Sequence, residues 1–218
     1  RRGQGRGTFV HEDYRDRAET SAGLRFGLVF HRESSLADFY HGQVLEGVRQ
    51  GADELGVDMV LLRFGEDWRN ECQGYLYVNP FRDQLTRSPR FGAKRGARTQ
   101  SSAAAPPVMV VGANFDLEGV SSVDTDNRDA AKQGVHHLHG LGHTRVAYVG
   151  GSGDVSNDID RRWGYTEALT AFGLREHPSW VIVSPGWQLD DMRRRHLVEL
   201  LRTPMRPTAV FAAGYYFA

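Results

Sequence analysis

The sequence predicts an α/β fold with parallel sheet, and three observations carry that prediction. Short apolar runs recur through the chain, segments with helical spacing of apolar residues separate them, and glycine stands where several of those segments should stop. Apolar runs without alternation suit strands that are covered on both faces, and helices between the strands supply the cover. Right-handed crossovers then join each strand to the next.

The elements follow in order. RFGLVF, residues 25–30, is the first strand. In FYHGQVLEGVRQGADEL, Tyr40, Val44, Val48 and Ala52 share one helical face, and Gly56 ends the helix. VDMVLL (57–62), GYLYV (74–78) and PVMVVGA (107–113) are the next three strands. Asp126 or Asn127 caps a helix that carries Ala130, Ala131, Val135 and Leu138 and stops between Gly140 and Gly142. RVAYVGG (145–151) is a strand, RRWGYTEALTAFG (161–173) a helix, and WVIV (180–183) a strand. DMRRRHLVELLR (191–202) is the last helix and TAVFAAG (208–214) the last strand.

Residues 82–106 break the alternation. A helix should cover the sheet between GYLYV and PVMVVGA, yet RDQLTRSPRFGAKRGARTQSSAAAP has no apolar stripe. It sets Arg87, Arg90, Lys94, Arg95 and Arg98 against a lone acid, Asp83. Three readings stay open: a disordered surface insertion, a nucleic-acid-binding loop, and a local reading-frame error that replaced a helix.

Composition bounds the function. The 218 residues, 40% hydrophobic, suffice for one large domain or two small lobes. A formal net charge of zero excludes a surface that binds nucleic acid all over, so any DNA contact is local. The single cysteine, Cys72, excludes an internal disulfide and fits a reducing cytoplasm. No apolar run approaches the roughly 20 residues of a membrane span. The opening RRGQGRGTFV alternates arginine with glycine and buries too little to fold alone. Arg1, Arg2 and Arg6 suit phosphates or a narrow minor groove, and a disordered basic tail is the plain alternative. Residues 11–23 are polar and aperiodic, as in a linker.

VDTDNRDAAKQGVHHLHGLGHTRVAYVGG, residues 123–151, resembles the most recognisable stretch of the LacI/GalR family of transcription regulators. The matching residues are Asp126-Asn127, His137-Leu138, Leu141-Gly142-His143 and Gly150. Downstream, Arg161, Gly164, Tyr165, Ala168, Leu169 and Gly173 resemble that family's next helix, and PTAVFAAG its next strand. The resemblance implies a periplasmic-binding-protein-like fold of two Rossmann-like lobes with parallel sheets. Residues 24–218 would be the effector-binding domain. Residues 24–125 and the start of 126–142 would form the first lobe, and 143–218 a second lobe truncated at its C-terminus. An isolated chain of that kind is expected to be marginally stable. Gly5, Gly7, Thr8, Phe9 and Val10 resemble the end of a GntR-type winged helix, so residues 1–10 would be the remnant of a DNA-binding domain, as in arabinose-repressor-like regulators.

In open α/β sheets ligands sit beyond the carboxyl ends of the strands, at the topological switch point. The loops that leave those ends supply Arg32, Ser34, Ser35, Asp38 and Tyr40, then Asn79 and Phe81, then Ser152, Asp154, Asn157, Asp158 and Arg161, and finally Tyr215. Hydroxyls, carboxylates, amides and an arginine beside aromatic rings suit a polyol or sugar. The resemblance implies that Arg161 contacts the effector. A helix cap or a pairing with Asp158 or Asp160 is the structural alternative. Asp38, Tyr40, Ser152, Asp158 and Tyr215 complete the candidate effector set, and Arg1, Arg2 and Arg6 form the candidate DNA set. The family usually has Asn-Asp where this chain has Gly214-Tyr215, so an amide that commonly holds a sugar hydroxyl is absent.

His136, His139 and His143 share a helical face that could hold zinc, but Gly140 and Gly142 would break the helix before His143. No metal and no cofactor are expected. A Gly-x-Ser-x-Gly elbow is absent, and GGSGD lacks the lysine of a phosphate-binding loop, so an enzyme is not expected. The resemblance implies a ligand-responsive DNA-binding regulator, a repressor in the cytoplasm whose effector is a sugar or related metabolite. It also implies operator DNA as partner and a homodimer, with the helix from Ala37 to Leu55 on the dimer surface and Ala52 as its test position. A periplasmic sugar-binding protein of a transporter is the alternative.

Overall fold

The computed structural model describes residues 23–31, 34–65, 72–87, 106–153, 155–186 and 188–218. Arg1, Arg2, Gly5, Arg6, Gly7, Thr8, Phe9, Val10, all of the linker but Gly23, Arg32, Asp154 and residues 88–105 lie outside the described residues. The chain divides into two compact units between Val123 and Asp124.

The first unit has five strands: β1 (Arg25–Phe30), β2 (Asp58–Arg63), β3 (Gly74–Val78), β4 (Val108–Val111) and β5 (Val120–Val123). They form one parallel sheet in the order β2-β1-β3-β4-β5. Four of them lie on the expected apolar runs. The fifth, VSSV, is a half-exposed edge strand with two central serines, so it lacked the apolar signature.

Helix α1 (Phe39–Leu55) follows β1. Asp38 caps it by accepting from the His41 backbone N–H, and Gly56 ends it in the left-handed conformation at φ 62°. Tyr40, Val44, Leu45 and Val48 pack on Leu28, Phe30 and Val78 of the sheet. Ala52 is also inside, at 6% exposure, so it cannot serve as a dimer test position. Ala52→Arg is expected to destabilise the first unit itself by about 3 kcal/mol, because it would bury an unpaired cation. A lowered urea midpoint in the isolated chain checks this; an unchanged midpoint contradicts it.

The opposite face of the sheet is covered in part by α2 (Arg82–Arg87), whose Leu85 is fully buried among Tyr75, Tyr77, Val110 and Phe115. The expectation of an insertion running through 82–106 is therefore corrected at its start. One leucine anchors this short helix, and a single apolar residue shows no period. Gln84 adds a local lock by accepting from the Phe81 backbone N–H at 2.8 Å.

The second unit has three strands, β6 (Val146–Gly151), β7 (Val181–Ser184) and β8 (Ala209–Ala212), parallel and ordered β7-β6-β8. Central β6 is buried along its whole length. Helices α3 (Asn127–Gly140) and α4 (Ser156–Ala171) pack side by side over one face, and α5 (Asp191–Arg202) sends Leu197 and Leu200 against the other. The start of α3 was expected in the first lobe. It belongs to the second unit because it packs on α4, where Gly164 lets the two backbones meet. The helix expected from residue 161 begins at Ser156, so Asn157 and Asp158 lie in its first turn rather than in a loop. No helix among the described residues is long and apolar enough to cross a membrane.

Candidate functional site

Each sheet reverses its strand order once, between β1 and β3 in the first unit and between β6 and β8 in the second. Loops that leave adjacent strands there run apart and open a crevice at the carboxyl ends.

In the second unit that position belongs to Arg161. α4 follows β6, and Arg161 projects from its second turn toward the end of β8. Its Nε donates to Asn127 Oδ1 at 2.8 Å, and Nη1 donates to the Ala213 carbonyl at 2.7 Å. Those partners are a neutral amide and a backbone oxygen. Two of the five guanidinium N–H groups are thereby used, and among the described residues no further hydrogen bond takes the others. Gly214 lies beside Nη1: a Cβ there would sit 3.4 Å from it, in ordinary contact.

The groups around Arg161 are acids and rings. Asp124 sits behind Asn127, and burial raises its carboxyl above the ordinary value. The Thr125 N–H, the Asn127 amide and the Arg161 charge oppose that rise. Asp158 is 7% exposed, and its carboxylate occupies the space a Cβ on Gly151 would fill. The Tyr148 phenol is pushed up to about 12, by burial first and then by the Asp158 charge. Its hydroxyl is buried without a hydrogen-bond partner among the described residues. Ser152 lies exposed beyond β6. Tyr215, two residues past Ala213, is 69% exposed, with its ring 5.4 Å from that of Tyr216.

The first unit gathers a second cluster at its own switch point. Tyr40 from α1 and Asn79 from the end of β3 converge over Gly112, which follows β4: a Cβ on Gly112 would overlap the Tyr40 hydroxyl and Asn79 Oδ1. Gly112 has φ 80° and Asn79 φ 45°, conformations that glycine and asparagine tolerate best. Asn79 Oδ1 is a buried acceptor without a partner among the described residues. The rings of His31, Phe64 and Phe81 stand nearby, with His31 6.2 Å from Phe64 and 6.1 Å from Phe81. Asp38 is engaged by its own helix: Oδ1 accepts from the His41 backbone N–H at 2.8 Å, and Oδ2 lies 2.5 Å from His41 Nδ1.

Asn127 and Gly112 are the residues that sequence reasoning missed as parts of a site. Asn127 read as a helix start and Gly112 as the end of a strand. The histidines of the zinc reading have other surroundings. His136 and His139 pack on Phe172, and His143 Nδ1 lies 3.1 Å from Thr208 Oγ1. Among the described residues no three His, Cys, Asp or Glu side chains are grouped to hold a metal ion.

Comparison with known proteins agrees with the fold. Residues 135–216 match the family model of a periplasmic binding protein-like domain. The chain is similar to the maltose regulon regulatory protein MalI of Escherichia coli, 28% identical over 144 residues that make up 66% of this chain and 42% of that protein. It is 36% identical over 97 residues to the transcriptional regulator CelR of Thermobifida fusca, covering 44% of this chain and 28% of that one. The chain therefore spans less than half the length of these two relatives. Among solved structures, it is similar to a LacI family transcriptional regulator from Mycobacterium smegmatis, with TM-score 0.71 and 22% identity over 88% of this chain and 68% of that one. A CelR–cellobiose complex gives TM-score 0.67 and 23% identity over 91% and 63%. The fold is α/β and periplasmic-binding-protein-like, as in the sensor domains of LacI-family regulators.

Proposed function

We propose that this chain is the effector-sensing part of a LacI-type, DNA-binding transcription regulator, a repressor whose effector is a sugar or related small metabolite. The observation that carries the proposal is Arg161, held across the β6–β8 switch point by Asn127 and the Ala213 carbonyl with donors to spare. Ligand oxygens would accept from those donors, and Tyr215 would lay a ring against an apolar sugar face. Ser152 and Asp158 flank the same strand end, and the first unit has a polar cluster of its own in Tyr40 and Asn79. The similarity to MalI and to cellobiose-bound CelR supports both the regulator and the sugar.

The finer parts of the reading rest on the sequence. Gly5, Gly7, Thr8, Phe9 and Val10 support a GntR-type wing, with Arg1, Arg2 and Arg6 on operator phosphates. A homodimer would mirror the two-fold symmetry of the operator, using the outward face of α1, where Glu46, Arg49 and Asp53 pair with one another. The protein would work in the cytoplasm, bind no cofactor and catalyse no reaction. Effector binding would act by shifting the population of DNA-binding states.

A mobility-shift assay of the whole regulator on the DNA upstream of its own gene tests this. Retarded DNA whose mobility changes with added sugar is the expected result. Absence of DNA binding, or an export signal at the start of the whole protein, would favour the periplasmic alternative.

A further inference from the structure

Asn127 is 2% exposed, and all four hydrogen bonds that a primary amide can make are filled. Nδ2 donates to Asp124 Oδ2 at 2.9 Å and to the Thr125 carbonyl at 3.1 Å. Oδ1 accepts from Arg161 Nε at 2.8 Å and from the Thr125 hydroxyl at 3.3 Å. The first pair fixes which way the amide points. A carboxylate and a carbonyl only accept, so the NH2 group must face them and the oxygen must face Arg161.

This side chain is not needed to start its helix. Asp126 caps α3 by accepting from the Asp129 backbone N–H at 2.9 Å. What the Asn127 amide does instead is fix the Nε edge of Arg161, while the Ala213 carbonyl fixes Nη1. Two anchors on a planar group set both its plane and its direction. Asp124, the first residue of the second unit, lies one amide away, so carboxylate, amide and guanidinium form a chain in which each bond polarises the next.

We propose that Asn127 is a positioning residue: it touches no ligand, and it presents the remaining Arg161 N–H groups to the effector in one fixed orientation. The proposal rests on the reading of Arg161 as the effector contact. It adds that this contact is built from the segment that opens the second unit, and not from the ligand crevice alone.

The test reads Arg161 directly, by nitrogen-15 NMR of the arginine Nε–H groups in the full chain. In the wild type the Arg161 Nε–H is expected to exchange with water on the order of tenfold or more slowly than exposed arginines do. Asn127→Ala should return it to the exposed rate and move its resonance. Asp126→Ala, which weakens the same helix at its cap, should leave the Arg161 signal in place. Fast exchange in the wild type overturns the proposal without any variant, and so does protection that survives Asn127→Ala. Should Asn127→Ala fail to fold, the wild-type exchange rate still decides. Cellobiose and maltose, added to the wild type, separate the two readings. A protected, Asn127-dependent signal that neither sugar moves upholds the positioning role and counts against the effector reading. A sugar that moves an Arg161 signal insensitive to Asn127→Ala does the reverse.

Discussion

Gly164→Val is expected to cost the second unit about 4 kcal/mol, a large share of the roughly 5–15 kcal/mol that holds an ordinary domain together. Helix propensity alone predicts the opposite sign, since glycine inside a helix is worse than alanine by about 1 kcal/mol and worse than valine by a few tenths. Packing decides the matter. A Cβ on Gly164 would overlap the Arg128 carbonyl oxygen and approach Ala131 Cβ to 2.9 Å. The obstacle is backbone of α3, which cannot swing aside as a side chain would. The helices are also tied to each other, because Glu167 pairs with Arg128 and, at 3.0 Å, with Lys132. Relief would need α3 to lift from α4 and take Val135 and Leu138 out of the core they share with Tyr165 and Leu169. Urea denaturation followed by circular dichroism reads the loss. A variant as stable as the wild type would mean that the helices do not pack through Gly164.

Gly112→Ala is expected to lower the stability of the first unit by about 2 kcal/mol and to disable its polar cluster at the same time. A left-handed φ of 80° costs an alanine roughly 1–2 kcal/mol. The added methyl would also occupy the place of the Tyr40 hydroxyl and Asn79 Oδ1. Both are ends of side chains and can move, so the unit is expected to fold, with Tyr40 and Asn79 displaced. Tyr40→Phe in the Gly112→Ala background should therefore recover part of the loss by removing one of the overlapping atoms. Equal melting of Gly112→Ala and the wild type would contradict this reading of the cluster.

The two predictions also show what the sequence could and could not disclose. α1 is legible because its apolar period and its closing Gly56 agree; that Asp38 and Asp190 cap α1 and α5, by accepting from the His41 and Arg193 N–H groups, is seen only in the structure. β5 and α2 are not legible. Two serines in an edge strand and one buried leucine in a short helix carry no periodic signal. Membership of α3 is a tertiary matter, settled by a glycine on another helix. Arg161 entered as a candidate through the resemblance of its neighbourhood. Asn127 was hidden because its helix-opening position explained it well enough. The meeting of Tyr40, Asn79 and Gly112 depends on the β1–β3–β4 neighbourhood of the sheet, and no local spacing encodes it.

The central claim is that Arg161 takes up a sugar-like effector. It is tested most directly by thermal melting of the chain against cellobiose, maltose and a wider panel of neutral sugars, side by side with Arg161→Gln. A sugar present at a hundred times its Kd should stabilise the wild type by about 2.7 kcal/mol and leave Arg161→Gln where it was. Stabilisation of both proteins alike, or of neither by any sugar, would contradict the account.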